Sequence, residues 1–337
     1  MQVFVTGGNG FIGSAVVRRL LEGDHQVRCL LRRTGRTERI DGLPIERVIG
    51  DVRDLASVQA GMQGCDSVVH LASISGWRLI NSPLVDETIV RGTDNVLEAA
   101  RAVGRPRLVY VSSTAAIGGS KEPKIHNEES VNAIRLSRYR YARAKSEAEG
   151  LCRRAAAAGL PVMIANPGEV YGPNDIDQIT SGNLIDFATH SPALTCSGGA
   201  GVTYLDDAAA GIVAVLEKGR PGERYILSGE NVTIRQLAEL TLELLGRQKR
   251  VLSAPNGILR LVAWAGRTFR IPLPFNPEVI PYATLYWFTD SSKARNELGI
   301  SFRPARETLA LTLKWLSEAG YLGESCRPAL EKAEVPQ

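Results

Sequence analysis

The 337-residue sequence predicts an α/β fold in which a doubly wound parallel sheet is followed by a smaller, mostly α-helical C-terminal domain. Short apolar runs alternate with helical patterns through the first half of the chain, which is typical of such a sheet. Most of these runs are apolar at nearly every position, as in strands that are covered on both faces. A glycine-rich turn joins the first run to the first helix and supports the same fold.

Six strands and four helices are predicted before residue 167. The strands are Gln2–Thr6, Val27–Leu31, Arg47–Gly50, Ser67–Leu71, Arg107–Ser112 and Val162–Asn166. The helices are Gly13–Glu22, Ser57–Met62, Leu84–Val103 and Tyr139–Ala158. Gly104 follows the third helix directly, where a glycine commonly ends a helix.

The alternation of apolar runs and helical patterns becomes less regular after Asn166. Residues 167–201 are rich in proline and glycine, so we expect a loop that contains one helix, Asn183–Thr189. The elements predicted after this loop are a helix over Asp206–Lys218, a strand over Arg224–Leu227, helices over Thr233–Leu245, Ile258–Phe269 and 305–318, and a loop over Pro272–Pro281. The predicted domains are 1–166 with about 202–229, and 167–201 with 230–325, which leaves 326–337 as a tail.

Composition and charge exclude several classes of protein. The chain has 40 Lys and Arg against 36 Asp and Glu, and the net charge of +4 is too small and dispersed to indicate a nucleic-acid partner. The basic stretch Arg135–Lys145 is expected to be a solvated helix face. The five cysteines and four histidines are scattered, so neither a disulfide framework nor a metal site is expected. No signal peptide or run of about 18 apolar residues is visible, so we expect a cytoplasmic protein without stable membrane insertion.

The glycine-rich turn predicts a dinucleotide site. Gly7, Gly10 and Gly13 are spaced three apart between the first strand and the first helix. Glycines there permit a tight turn, close approach of a pyrophosphate, and close packing of helix on strand. The helix N-terminus also offers free N–H groups to a phosphate. The other residues of the turn that we expect at the site are Asn9, Phe11 and Ile12.

The end of the second strand predicts which dinucleotide is bound. An NAD site usually has Asp or Glu at this point, whereas this chain has Arg32 and Arg33. Guanidinium groups can bind a phosphate bidentately, so the sequence favours NADP(H) over NAD(H). The alternative is that both arginines are simply solvated at a strand end.

An acid–base pair is predicted on the helix Tyr139–Ala158. Tyr141 and Lys145 are four residues apart and therefore share a helix face. A nearby cation is expected to lower the pKa of the phenol by about 1–3 units, which makes Tyr141 a better acid or base near neutral pH. The hydroxyl-rich segment Ser112–Thr114 follows the fifth apolar run, where a hydroxyl would face the nucleotide crevice. A capping role in the next turn is the alternative for this segment.

Together these motifs resemble the extended short-chain dehydrogenase/reductases, which have a Rossmann-type sheet. Within that family the chain looks most similar to the dihydroflavonol-reductase-like group and to proteins labelled hopanoid-associated sugar epimerases. The stretches that carry the resemblance are Val5–Gly13, Gly50–Asp54, His70–Ser73, Gly92–Ala100, Ser112–Thr114, Tyr141 with Lys145, Asn166–Pro173, Gly222–Asn231, Ser292–Ala294 and Glu297–Gly299.

The resemblance implies roles for individual residues. It makes Tyr141 the acid/base, Lys145 its partner, and Thr114 the hydroxyl that orients the substrate oxygen. The cofactor contacts that it implies are with Arg32, Asp51, Val52, Leu71, Ala72, Ser73, Tyr141, Lys145, Pro167 and Val170. The chain departs from the family pattern at Ile89, where relatives often have Asn. It also has small or apolar residues in 199–205, where nucleotide-sugar enzymes commonly have an Arg that helps to bind a diphosphate.

The sequence therefore predicts an enzyme, an NADP(H)-dependent oxidoreductase that interconverts a carbonyl and a secondary alcohol on a small molecule. A nucleotide-sugar epimerase or dehydratase and a non-enzymatic NADP-binding scaffold are the alternatives. Aromatic residues in the candidate pocket segments favour an apolar or ring-containing substrate, although each could instead fill the core of the small domain. These residues are Trp77, Tyr204, Phe275, Tyr282, Tyr286 and Trp287. A homodimer is possible, and the helix Ile258–Phe269 is expected to pack on the domain core rather than contact a membrane.

Overall fold

A parallel sheet of seven strands forms the centre of the structure, a computed structural model that describes residues 1–74, 76–131, 134–273 and 275–323. In chain order the strands are β1 (Gln2–Thr6), β2 (Gln26–Leu31), β3 (Glu46–Ile49), β4 (Ser67–His70), β5 (Arg107–Val111), β6 (Val162–Pro167), β7 (Glu169–Tyr171), β8 (Ala193–Thr195), β9 (Gly199–Tyr204), β10 (Arg224–Leu227), β11 (Glu230–Thr233), β12 (Val251–Ser253) and β13 (Tyr286–Trp287). The order across the large sheet is β10-β6-β5-β4-β1-β2-β3. Strands β2 and β3 are added on one side of β1, and the later strands β4, β5, β6 and β10 are added on the other side. The strand order therefore reverses between β1 and β4, which confirms the predicted doubly wound fold.

Helices cover both faces of this sheet. They are α1 (Phe11–Glu22), α2 (Leu55–Met62), α3 (Leu84–Asp86), α4 (Gly92–Ala102), α5 (Arg140–Ala157), α6 (Gly182–Thr189), α7 (Leu205–Lys218), α8 (Ile234–Leu244), α9 (Asn256–Phe269), α10 (Ile280–Ala283), α11 (Ser292–Leu298) and α12 (Ala305–Glu318). Strand β1 shows why the strands are apolar throughout. Val3 and Val5 pack against α1 and α7, whereas Phe4 packs on the opposite face against α2, α4 and α5.

The main differences from the predicted elements lie outside the large sheet. The predicted helix Leu84–Val103 is divided by a π-helical turn, Glu87–Arg91. The segment 167–201, expected to be a loop with one helix, also contains β7, β8 and the start of β9. Strand β9 pairs with β7, β11 and β13 in a second sheet, and β8 pairs with β12. Strands β7 and β8 have three residues each and β9 begins with Gly-Ala-Gly, so no apolar run marks them in the sequence. The division into two domains stays a prediction.

Three further expectations concern the C-terminal tail, membrane-spanning helices and the basic stretch Arg135–Lys145. The tail 326–337, which includes Cys326, lies outside the described residues. Within the described ranges, no helix combines the length and the apolar character needed to cross a bilayer. The basic stretch on α5 is not simply solvated, because Arg140 and Arg143 bind the carboxylate of Asp86 at 3.0 and 2.6 Å.

The turn between β1 and α1 requires glycine because backbone segments meet there. Gly7 has a φ of 74°, and a Cβ on it would lie 2.7 Å from the backbone nitrogen of Ala72 after β4. A Cβ on Gly13 would collide with the carbonyl oxygen of Gly7. This close approach joins the carboxyl ends of β1 and β4 at the point where the strand order reverses, which is where open α/β sheets bind ligands.

Replacing Gly13 by Ala should therefore destabilise the protein, by about 2 kcal/mol, because the new methyl group overlaps fixed backbone. Gly150 on α5 is the matched control, since its Cβ would meet only the Arg154 Nη1 atom, 3.4 Å away. Ala at position 150 should stabilise the protein by about 0.5–1 kcal/mol. Denaturant unfolding followed by circular dichroism measures both effects, and equal effects of the two substitutions would contradict the steric argument.

Candidate active site

The N-terminus of α1 is open to an anion. Its N-cap is Gly10, which has no side chain to cap the helix, and its first turn holds no acidic residue. The N–H groups of the turn therefore keep their capacity to bind a ligand, and the arrangement fits the pyrophosphate of a dinucleotide. The predicted Asn9 instead donates to the carbonyl oxygen of Arg36 at 2.7 Å, which fixes the loop after β2 beside the turn. Phe11 is buried in the core and Ile12 is half-buried.

A buried histidine joins β1 and β4 to α4. The Nδ1 atom of His70 lies 2.6 Å from Thr6 Oγ1, and its Nε2 atom lies 3.1 Å from Thr93 Oγ1. Burial lowers the pKa of His70 to about 3, with a smaller effect from the charge on Lys145. The ring is therefore neutral and bridges two hydroxyl groups. Because Ala72 N donates to Thr6 Oγ1 at 3.3 Å, this bridge also fixes the backbone beyond β4.

The residues after β4 lie where the resemblance predicts a wall of the cofactor site. Leu71, Ala72 and Ser73 are half-buried, and the backbone of the first two faces Gly7 across the crevice. The hydroxyl of Ser73 is buried and has no hydrogen-bond partner among the described residues. Buried polar groups are rarely left unpaired, so this hydroxyl fits a polar ligand beside the glycine turn.

The arginines at the end of β2 lie on the surface. Arg32 and Arg33 are exposed, and neither forms an ion pair or side-chain hydrogen bond within the described parts of the chain. Asp51 is close enough to Arg32 for that charge to lower the pKa of its carboxyl, but the larger cause is the hydrogen bond from Arg53, at 2.8 Å. Asp51 is therefore already paired through its side chain, and the neighbouring Val52 is buried.

Tyr141 and Lys145 lie on the face of α5 that is directed at the sheet. The Nζ atom of Lys145 is buried, donates to the Val111 carbonyl oxygen at 2.8 Å, and lies 5.9 Å from the centre of the Tyr141 ring. Burial lowers the pKa of Lys145 to about 7 and raises the pKa of Tyr141 to about 12. The expectation that the pKa of this phenol is lowered is therefore wrong for this structure. The loss of water around Tyr141 outweighs the effect of an amino group that burial itself tends to neutralise.

The hydroxyl next to the Tyr141 phenol is that of Ser113. Its hydrogen bond opposes, in small part, the rise in the pKa of Tyr141. Ser113 Oγ also accepts from Ala115 N at 3.2 Å and so caps the short 3₁₀ turn Thr114–Ala116. Thr114 is buried at the first position of that turn. The role predicted for Thr114 stays a prediction, and Ser113 is a residue of the same segment that the sequence analysis did not single out.

A buried carboxylate holds this part of the site together. Glu149, one turn beyond Lys145, accepts hydrogen bonds from Ser112 Oγ at 2.7 Å and from Asn166 Nδ2 at 2.6 Å. The guanidinium of Arg224 lies 3.3 Å from the same carboxylate. Glu149 therefore joins α5 to the ends of β5 and β6 and to β10. Its negative charge also raises the pKa of Lys145 and so opposes the effect of burial.

The predicted contacts to the nicotinamide end lie beyond β6. Pro167 is the last residue of β6 and Val170 is in β7, and both are buried at the carboxyl end of the sheet. Glu169, between them, was not identified from the sequence. Burial raises the pKa of Glu169 to about 7, and a hydrogen bond with Tyr171 acts in the opposite direction. The Glu169 carboxyl group thus lies beside Tyr171, on the face of β7 opposite to Val170.

An aromatic cluster packs against Tyr141. The ring of Tyr282 meets those of Trp77 and Tyr139 edge to face, with centroids 5.6 and 5.3 Å apart, and stacks on Trp287 at 5.9 Å. Three of the aromatic residues proposed for the pocket, Trp77, Tyr282 and Trp287, therefore lie together beside the acid–base pair. They form an apolar wall around the phenol.

The other proposed aromatic residues lie in different surroundings. The guanidinium of Arg303 covers the ring of Tyr204 at 4.5 Å. Tyr286 packs edge to face with Phe288, with centroids 5.4 Å apart, and Phe275 packs against the small core beneath α9. These three residues have structural partners that account for their positions.

At both departures from the family pattern, the neighbouring side chains favour the residue that this chain has. Ile89 lies in the π-helical turn and is fully buried among apolar residues, where an Asn would need a polar partner. At Gly201 in β9, a Cβ would collide with the hydroxyl of Ser228. A larger residue at this point of β9 would require the Ser228 hydroxyl to move aside.

Comparison with known proteins relates the chain to enzymes. Residues 3–228 match the family model described as "NAD dependent epimerase/dehydratase family". "Putative dihydroflavonol 4-reductase" of Synechocystis sp. is 31% identical over 329 residues, with 95% of each chain covered. "Sterol demethylase protein B" of Methylococcus capsulatus is 29% identical, with 96% of this chain and 100% of that protein covered. A crystal structure of a DesIV double mutant (dTDP-glucose 4,6-dehydratase) from Streptomyces venezuelae, with NAD and DAU bound, has a TM-score of 0.76 at 26% identity and covers 98% of this chain and 100% of its own.

Glu149→Gln should lower the free energy of unfolding by about 3 kcal/mol, because it leaves buried positive charge without its counter-charge. Glu147→Gln on the same helix is the matched control. Glu147 is exposed and, among the described residues, pairs only with Arg143, at 2.7 Å, so its loss should cost about 0.5 kcal/mol or less. Urea unfolding of the two variants measures the difference, and a similarly small loss in both would show that Glu149 does not hold the site together.

Proposed function

Because the chain belongs to the NAD-dependent epimerase/dehydratase family, we propose that it is an NADP(H)-dependent oxidoreductase that interconverts a carbonyl and a secondary alcohol. The observation that carries the proposal is the pair on α5. The amino group of Lys145 is buried 5.9 Å from the centre of the Tyr141 ring, and aromatic side chains pack against Tyr141, which is partly buried at the carboxyl end of the sheet. A positioned phenol in such surroundings is suited to exchange a proton with a substrate oxygen.

The glycine turn would hold a nicotinamide dinucleotide, which would supply or accept the hydride. The chain itself moves the proton. Tyr141 keeps its proton at neutral pH because burial raises the pKa of its phenol to about 12, so it donates that proton to the oxygen of a carbonyl substrate. Lys145 has a pKa of about 7, and its protonated form stabilises the phenolate that remains. We assign orientation of the substrate oxygen to Thr114 and orientation of the phenol to Ser113.

Two features support the proposed cofactor. The open N-terminus of α1 and the glycine turn fit a pyrophosphate. Arg32 and Arg33 are exposed at the end of β2, where they can bind a 2′-phosphate bidentately. NADP(H) is therefore the cofactor that we favour over NAD(H).

The aromatic cluster supports an apolar or ring-containing substrate. Trp77, Tyr282 and Trp287 present flat apolar surfaces near Tyr141, and such walls are common in sites for small apolar ligands. The names of the two relatives refer to a dihydroflavonol and a sterol, which are both ring compounds.

A nucleotide-sugar epimerase or dehydratase is the second candidate, and the family description and the likeness to DesIV favour it. The absence of an arginine from residues 199–205 counts against it, because nucleotide-sugar enzymes commonly have a diphosphate-binding arginine there. Such an enzyme would retain its cofactor and show no net change in nicotinamide absorbance during turnover. A screen of ketones and secondary alcohols with NADPH and NADP⁺ separates the two candidates, since our proposal requires a stoichiometric absorbance change. A non-enzymatic scaffold would show no turnover at all.

Tyr141→Phe should keep NADPH affinity and lower kcat by about 10²–10⁴-fold, because the phenyl ring fills the same space but cannot donate a proton. Tyr139→Phe is the control, since that ring packs edge to face with Tyr282 outside the acid–base pair and its loss of a hydroxyl should leave kcat within a factor of about two. NADPH-linked absorbance with a substrate from the screen measures both variants. Full turnover in Tyr141→Phe would refute the assignment of the proton donor.

Arg32→Ala and Arg33→Ala together should weaken NADPH binding by about 10–100-fold and leave NADH binding almost unchanged, because only NADPH has the 2′-phosphate. Arg101→Ala is the control, an exposed arginine in the last turn of α4. Nucleotide fluorescence titration measures the affinities. Equal losses for NADPH and NADH would contradict the proposed contact.

A further inference from the structure

Helix α9 packs against the protein on one side only. Its inner residues Leu259, Ala263 and Gly266 are buried, and the first two join Ile280 in a small apolar core. Its outer side chains are large, apolar and between 37% and 66% exposed. They are Ile258, Leu261, Val262, Trp264 and Phe269. The expectation that this helix packs on the domain core therefore applies only to its inner face, and not to the exposed side chains.

The exposed side chains form a continuous surface, which we call the α9 outer face. Positions 258, 261, 262 and 269 lie within one sector of a helix with 3.6 residues per turn. Trp264 flanks this sector and packs edge to face with Phe269, with ring centroids 6.1 Å apart. Ile271, just after the helix, is also exposed and extends the surface. Single exposed apolar residues are ordinary, but a contiguous apolar patch of this kind indicates a binding surface.

The chain segment that contains α9 is strongly basic, although Arg267 is paired with Glu278 at 3.4 Å. Residues 244–277 contain no Asp or Glu, and their basic residues are Arg247, Lys249, Arg250, Arg260, Arg267 and Arg270. The net charge of the whole chain is only +4, so positive charge is concentrated in this segment. Arg250 before the helix and Arg270 after it are exposed. Basic residues therefore lie at both ends of the apolar surface.

We propose that the α9 outer face docks on the surface of an anionic lipid bilayer. In this arrangement the helix lies in the plane of the interface, its apolar side chains enter the acyl boundary, and Trp264 sits at headgroup level. The surrounding arginines are attracted to anionic headgroups. A second copy of the chain is a poorer occupant, because a two-fold interface would bring the same basic segments against each other.

Helix α9 is connected to the aromatic cluster through α10. Arg260 Nε donates to Thr284 Oγ1 at 2.8 Å, which ties α9 to the residue after α10. Helix α10 itself contributes Tyr282 to the wall beside Tyr141. A docked chain would thus hold this wall close to the bilayer, from which an apolar substrate could enter. That consequence rests on the proposed function, whereas docking itself does not.

Sedimentation of the full chain with lipid vesicles tests the proposal without any enzyme assay. We expect binding to vesicles of phosphatidylcholine mixed with phosphatidylglycerol, weaker binding as salt is raised, and much weaker binding to phosphatidylcholine alone. Emission from Trp264 should shift to shorter wavelength on binding, and the shift should be absent in Trp264→Phe. No binding to the mixed vesicles would overturn the proposal.

Paired substitutions locate the contact. Leu261→Ser with Phe269→Ser should weaken vesicle binding about tenfold or more, since both side chains would leave the acyl boundary. Ile125→Ser with Val131→Ser is the control, because these side chains are also exposed and apolar but lie outside α9; binding should be unchanged. Arg250→Gln with Arg270→Gln, which leaves the apolar face intact, should reduce the preference for anionic vesicles. Binding unaffected by the α9 substitutions, or a lipid-free dimer that they dissociate, would overturn the proposal.

Discussion

The site depends on an unfavourable burial, that of the Lys145 amino group at the end of β5. This group retains a hydrogen bond to the Val111 carbonyl oxygen, and the loss of water lowers its pKa to about 7. The carboxylate of Glu149 offsets part of this effect and is itself fixed by Ser112 and Asn166. The ends of β5, β6 and α5 are therefore linked by polar groups that cannot be removed singly without leaving a buried charge or donor unpaired.

The same exclusion of water defines what the site can do. The phenol of Tyr141 remains protonated at neutral pH, and apolar rings pack against it while the Lys145 amino group lies 5.9 Å from the centre of its ring. At the carboxyl end of β1, the N–H groups at the start of α1 are free to bind an anion, and Gly7 packs against the backbone of Ala72. A proton donor and an anion-binding turn thus lie at the same edge of one sheet. Because the pKa of Lys145 is lower in the folded chain than in the unfolded chain, its burial destabilises the fold most below pH 7 and less as the pH rises towards 10.

Local sequence patterns were sufficient to predict the large sheet and the glycines that the turn after β1 requires. The apolar run in β1 follows from burial on both faces, and Gly7 and Gly13 follow from contacts within the turn itself. The second sheet was missed because β7 has three residues and β9 begins with Gly-Ala-Gly, which does not favour a strand. The pKa of Tyr141 was predicted in the wrong direction because it depends on burial, which spacing along a helix does not reveal. Glu149 was missed although it continues the four-residue spacing on the face of α5 that carries the acid–base pair.

The claim that Lys145 lies out of water beside Tyr141 is tested most directly by the pKa of its amino group. Nitrogen-15 NMR of lysine side chains follows this titration in the protein without cofactor, and Lys145→Met assigns the signal. The structure predicts a midpoint near 7, well separated from the signals of solvated lysines. A midpoint near 10.5, the ordinary value for lysine, would mean that the amino group is hydrated and that the site is not organised as described.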